Sequence, residues 1–262
     1  MKQSQFYYLL RRGLFSAGSA IIKNGLVMFN KFTTAGLNFP AQGSAEFNGS
    51  SDYIDVATLP LTEFTNFTMA AWFYTEATSQ GTILGFGNST TDTPISLIET
   101  RGGDNVRFSY RDDAGTLSVK DTGALTKGVW NYITAIKEGN SFSIYLNGSL
   151  SSTSTTSTGA ITFDTFTIGV LKRTALANYF NGNLANVAIW NRALSSDEIN
   201  SVMWKSYEGL TDSEENGLQA WYSLDDITSP AASLANMEQL ATDKDATIEN
   251  KAAITAAINA LS

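Results

Sequence analysis

From Phe39 to Tyr222 the chain alternates short apolar runs with polar turns. "AEFNGSSDYIDV" alternates and turns at Asn48-Gly49, and "FTNFTMAAWFY" is a fuller apolar run, suited to an inner strand. "GTILGFGN", "ISLIET" and "NVRFSYR" follow, then "TLSVKD" after the turn Asp112-Asp113-Ala114-Gly115. "WNYITAIKEGNSFSIYLNGSL" reads as two strands joined near Gly139-Asn140, ending in a second tight turn at Asn147-Gly148. "ITFDTFTIGV" and "NLANVAIW" complete a series of at least ten strands. Regular spacing, with almost no helical signal before residue 195, predicts an all-β antiparallel sandwich. "SSTSTTST", Ser151 to Thr158, is an exposed edge strand or a loop.

Helical periodicity is confined to three places. In "NVAIWNRALSSDEINSVM" a strand puts Val187 and Ile189 on one face and Ala188 and Trp190 on the other. Ser195 then stands three residues before Glu198, the spacing of a capping box that starts a short helix. In residues 1–38, Phe6, Leu10, Leu14, Ala17 and Ile21 recur at helical spacing, with Arg11 and Arg12 off that stripe. Two readings stand side by side: an anchor helix held on a partner through Phe6, Leu10, Arg11, Arg12 and Leu14, or a helix packed on its own domain. Residues 229–262 have helix-compatible spacing and are expected to form a helical tail with one short seam, Ile254, Ile258 and Leu261. The sandwich itself spans 39–228.

Charge sharpens this division. Five of the 17 basic residues, and none of the 25 acidic ones, precede Glu46, so a basic arm leads an acidic body. A formal net charge of −8 argues against nucleic acid as a partner. No run has the length of a membrane span, and the Gly- and Ser-rich "GLFSAGSAII" is expected to be part of the arm, not a cleaved signal. The chain has no cysteine and no histidine. Disulfides, thiolate metal sites and every histidine-dependent catalytic arrangement are excluded.

The body resembles the concanavalin A-like jelly-roll superfamily, in its laminin G-like and pentraxin-like branch. "FNGSSDYIDV", "LTEFTNFTMAAWFYTE", "GVWNYITAIKEGNSFSIYLNG", "FNGNLANVAIWNRALSSDEINSVM" and "NGLQAWYSL" carry the likeness, in the family's order. It implies two packed antiparallel sheets, and often glycan or protein binding. Calcium-dependent members hold ligands on loops. Here "GNSTTDTP" keeps Asp92, but the second loop reads Val170-Leu171-Lys172-Arg173. Two cations and two apolar residues do not replace oxygen ligands for an ion that takes six to eight, so no cofactor is expected and calcium is disfavoured. The resemblance also places Ala70 and Ile133 where the pentraxin disulfide would stand, so packing is expected to substitute for it.

Catalysis finds little support. Laminarinase-like relatives set their acids as Glu-x-Asp-x-x-Glu, a spacing missing here, and the acids cluster in turns: Asp112-Asp113, Glu214-Glu215, Asp225-Asp226. Asp104, Asn105, Asp112 and Asp113 flank a hairpin and read as its turn chemistry. The sequons at Asn48 and Asn147 lie in turns that need Asn-Gly. The ligand-binding candidates are therefore Asp92, with Trp130 and Tyr179 (and Trp204 as a further exposed aromatic) for stacking on sugar rings. The functional expectation is a non-enzymatic virion structural or decoration protein of a bacteriophage. It displays a lectin-like jelly roll, is attached to capsid or tail proteins through its extensions, and binds host-surface glycans, with homo-oligomerisation left open. The alternative is a secreted or cell-surface bacterial lectin or adhesin, and the third reading is a glycanase.

Overall fold

A computed structural model describes residues 43–224, together with the backbone of two short strands, β1 (Phe32–Thr33) and β2 (Gly36–Leu37). These two pair antiparallel as a sheet of their own, within the unit Met1–Asn38. The anchor stripe from Phe6 to Leu14 and the tail from 229 onward lie outside the described residues.

The remaining strands belong to the second unit. They are β3 (Ala45–Asn48), β4 (Ile54–Val56), β5 (Asn66–Tyr74), β6 (Gly81–Asn88), β7 (Thr91–Arg101), β8 (Asn105–Arg111) and β9 (Leu117–Asp121). Then come β10 (Trp130–Glu138), β11 (Ser141–Leu146), β12 (Ser149–Thr155), β13 (Thr165–Ile168), β14 (Leu171–Lys172), β15 (Leu176–Ala177), β16 (Asn181–Trp190) and β17 (Leu218–Tyr222). Helix α1 (Ser196–Val202), a 3-10 turn (Tyr207–Gly209) and helix α2 (Asp212–Glu215) connect β16 to β17.

Two antiparallel sheets form a jelly-roll sandwich. One runs β12-β11-β10-β5-β16-β17, with β3 sharing the edge of β16, and the other runs β4-β13-β6-β7-β8-β9. Strand β16 is ten residues long and, along the edge away from β5, serves two partners: Asn181 to Leu184 pair with β3, and Val187 to Trp190 with β17. The segment "FNGSSDYIDV" is thus not a hairpin. β3 pairs with β16 and β4 with β13, so the turn at Asn48-Gly49 carries the chain from one sheet to the other. The Asn48 side-chain oxygen holds that corner by accepting from the amides of Ser50 and Ser51, at 2.8 and 2.9 Å. The Ser/Thr-rich run is an edge strand as far as Thr155.

The apolar run of β5 is full because both of its faces are covered. Phe67, Met69, Ala71 and Phe73 enter the core between the sheets, while Ala70 and Trp72 face a second cluster outside the seven-stranded sheet. That cluster is roofed by α1, through Ile199, Val202 and Met203. Strand β16 divides likewise: Val187 and Ile189 go inward, Ala188 and Trp190 outward. Ala70 and Ile133 do not meet as expected. Ala70 pairs with Thr134, Ile133 pairs with Ala71, and their side chains enter different clusters. A strand period of two sends neighbouring register positions to opposite faces.

Helix α1 begins as its sequence predicts. The Ser195 hydroxyl accepts from the Glu198 amide at 3.2 Å, and the Glu198 carboxylate accepts from the Ser195 amide at 2.8 Å. Trp72 fixes the other end of the helix, donating its indole N–H to the Met203 carbonyl at 2.9 Å.

Candidate functional site

On the outer face of the six-stranded sheet a small hairpin brings several polar side chains together. After β13 the chain turns at Gly169, whose φ is +86°. Strand β14 then lies against β6 and pairs with β15. The Thr167 hydroxyl donates to the Val170 carbonyl at 2.6 Å, and the Thr165 hydroxyl to the Lys172 carbonyl at 2.9 Å. β6 makes room with glycine: a Cβ on Gly87 would stand 2.1 Å from the Lys172 carbonyl oxygen. Val170 and Leu171 are buried and anchor the hairpin, while Lys172 pairs with Asp55.

The tip of this hairpin meets Asp92. Asp92 is the second residue of β7 rather than part of a loop. Its carboxylate accepts from the Thr174 hydroxyl at 2.7 Å. Its backbone carbonyl accepts from two guanidinium groups, Arg173 Nη1 at 3.0 Å and Arg111 Nη2 at 2.5 Å. Arg111 also donates through Nε to the Thr93 carbonyl. Arg173 Nε makes no hydrogen bond and stands 3.8 Å from the Asp92 carboxylate. The Thr174 hydrogen bond, then the charges of Arg173 and Arg111, hold the Asp92 carboxyl below the usual carboxylate range. Two fixed positive charges thus share one exposed negative charge, with several N–H donors unspent. That is the donor set a carboxylate or a cluster of sugar hydroxyls requires. Exposed Leu117, directly opposite Arg111 on β9, and Leu176 on the hairpin give it apolar edges.

The candidates read from sequence do not converge. Tyr179 packs edge-on against Tyr53, with ring centroids 6.2 Å apart. Trp130 belongs to the seven-stranded sheet and packs on Tyr74 at 6.0 Å. Trp204 is 56% exposed and leans on Trp72 at 5.5 Å, beside α1 on the outer side of the seven-stranded sheet. Arg111 and Arg173 were missed as a pair. Arg173 looks from sequence like a residue that merely excludes calcium, and Arg111 like a strand end. Only the hairpin's path brings them to one carbonyl.

The acids serve the backbone or the cations. Burial pushes Asp112 up, but the amides of Gly159 and Thr116, at 2.6 and 2.8 Å, outweigh it and leave the group below its ordinary range. Asp112 is therefore a buried cap rather than a solvated turn acid. Asp104 and Asp112 flank opposite ends of the seven-residue β8, so the acids around that strand do not gather at one point. Arg107 holds Asp121 low and Arg192 holds Glu198 low. Burial pushes Glu214 up, but Lys205, Ser201 and Thr211 together pull it down to about 2. A general acid needs the opposite shift. Among the described residues no group of three or more potential metal ligands assembles, and no helix is long and apolar enough to cross a membrane.

The two packed sheets define the class of the protein, a laminin G-like jelly-roll module. A family model of laminin G type matches residues 48–200, and the chain belongs to the concanavalin A-like lectin/glucanases superfamily. Comparison with curated proteins gives no match. Among solved structures, the chain is similar to the CBM40 of the Ruminococcus gnavus IT-sialidase bound to α2,3 sialyllactose. The identity is 20% and the TM-score 0.55, covering 62% of this chain and 96% of that one. It is also similar to the heptameric SAP-like pentraxin of Limulus polyphemus, at 16% identity and TM-score 0.53, covering 66% and 86%. At these identities the likeness is one of fold.

Proposed function

We propose that the protein is a non-enzymatic glycan-binding module that takes acidic sugars at the Asp92–Arg111–Arg173 face. The observation that carries this reading is the convergence of two guanidiniums on the Asp92 carbonyl, with one carboxylate between them. The similar CBM40 fold is recorded with a sialylated sugar, which makes sialyllactose the natural first probe. Calorimetric titration with 3′-sialyllactose and with lactose tests it. Binding of the sialylated sugar alone, weakened at least tenfold in both Arg111→Met and Arg173→Met, is expected. Equal binding of lactose, or binding indifferent to both substitutions, overturns it.

The setting we infer is the surface of a virion, that of a bacteriophage. There the sandwich faces outward toward host glycans, and residues 1–38 and 229–262 attach it to capsid or tail proteins. Support comes from the basic arm on an acidic body. Deleting residues 1–38 is expected to leave the sandwich folded and to abolish attachment. Mass spectrometry of purified particles decides between this and the secreted lectin. The first reading requires the protein in the particle with its N-terminus intact, the second a mature chain beginning near residue 20.

A further inference from the structure

Strand β10 sends Ile133, Ala135 and then Lys137 toward the space between the sheets. Lys137 faces Phe67 on one side and Phe142 on the other, both core residues. It is only 4% exposed, and its ammonium lies 5.2 Å from the centroid of the Tyr110 ring and 5.5 Å from that of Phe142. Among the described residues no carboxylate stands within ion-pair distance of it.

Backbone carbonyls and aromatic rings, not a counter-charge, hold the ammonium. Lys137 donates to the carbonyls of Gly139, at 2.6 Å, and Thr65, at 3.2 Å. The Thr65 carbonyl already accepts from the Gly139 amide at 3.1 Å. An ammonium has three donors, so one remains. Lys137 lines a cavity of about 390 Å³ at one end of the sandwich, bounded by residues 62–65, 139–140 and 158–161 and by Tyr110. That size falls in the range of small-molecule pockets, about 300–1,000 Å³. The wall includes Thr62, Thr65, Thr158 and Asn140. Tyr110, whose phenol burial keeps protonated, supplies a neutral donor. Desolvation weakens the hold of Lys137 on its proton, and a bound anion would restore it.

We infer that this cavity is a binding site for a single carboxylate group, received by the spare donor of the buried Lys137 ammonium. One positive charge matches one negative charge. Asp112 and Asp113 lie close enough to act on Tyr110, and Glu63 lines the cavity, so a second negative charge on the ligand, as on phosphate, would have no partner. The site shares no side chain with the arginine face, since Tyr110 and Arg111 point to opposite sides of β8. It stands or falls independently of the proposed function.

Amide and lysine side-chain NMR on the full chain tests the inference, with acetate, galacturonate, galactose and inorganic phosphate as probes. Acetate and galacturonate are expected to produce saturable shifts at residues 62–65, 139–140 and 158–161 and at the Lys137 Cε. Galactose is expected to produce none. Lys137→Met is expected to weaken the response at least tenfold, and the double variant Arg111→Met/Arg173→Met to retain it. A greater response to galacturonate than to acetate marks a sugar-borne carboxylate as the ligand, and equal responses a free one. Should Lys137→Met not fold, the Lys137 Cε signal in the unaltered protein decides alone. No saturable shift there, or a response to phosphate equal to that to acetate, overturns the proposal and leaves Lys137 as a cap on the Gly139 carbonyl.

Discussion

Arg192 and Glu198 meet fork to fork, Nη2 to Oε1 at 2.7 Å and Nη1 to Oε2 at 3.1 Å. The pair joins the turn after β16 to the first turn of α1. Glu198 thereby serves three groups: the Ser195 amide, the Ser195 hydroxyl and the Arg192 guanidinium. Arg192 also donates to the carbonyls of Ser213 and Asn216, so one side chain fastens α1 to the segment that leads into β17.

Ser195→Ala is expected to lower stability by about 0.5–2 kcal/mol, as the loss of a helix N-cap does. Chemical denaturation measures the change, and binding of 3′-sialyllactose is expected to stay as it is. Selective loss of binding at unchanged stability would make this segment part of a ligand site.

Glu214 gives the fold a defined acid sensitivity. Its folded value, about 2, lies below the ordinary 4.5. The depressed carboxyl therefore contributes stability that is full above about pH 4.5 and is lost as pH falls toward about 2. Thermal melts across that window are expected to fall less steeply in Glu214→Gln than in the parent. Equal slopes would show that the ion pair with Lys205 is not what holds the proton off.

Asp112→Ala leaves the amides of Gly159 and Thr116 without their buried acceptor. Each such loss costs about 1–3 kcal/mol. The substitution is expected to destabilise the protein by that order, with the fastest hydrogen exchange gained at residues 112–116 and 159–162. Unchanged protection there would assign the hold to Asp113, which binds the Thr162 amide and hydroxyl at 3.0 and 2.9 Å.

Gly87→Ala drives a methyl group against the Lys172 carbonyl. The β14–β15 hairpin must lift, and Arg173 and Thr174 must leave Asp92. Loss of 3′-sialyllactose binding, with the seven-stranded sheet still protected from exchange, is the expected result. Intact binding would detach the hairpin from the site.

Between pH 6 and 8 glycan binding is expected to stay flat, because the chain has no histidine and Asp92 is held below the usual carboxylate range. Calorimetry at three pH values in that interval checks this.

The sequence by itself determined most of the long strands, the turns and the start of α1, but not the short β14–β15 hairpin. Alternation along β16 named which residues face inward, and Ser195 with Glu198 fixed a cap, because each of these signals acts over a few residues. Membership of the superfamily was legible for the same reason: its motifs are local segments in a fixed order. Tertiary structure alone decided that Asn48-Gly49 crosses between sheets and that Ala70 and Ile133 turn away from each other. It also decided that Asp92, Arg111 and Arg173, spread over some eighty residues of chain, meet at one carbonyl, and that Lys137 stands in a core row beside a cavity. Pairing partners are set by which apolar faces must be buried together, and that choice is made by the whole chain, not by any stretch of it.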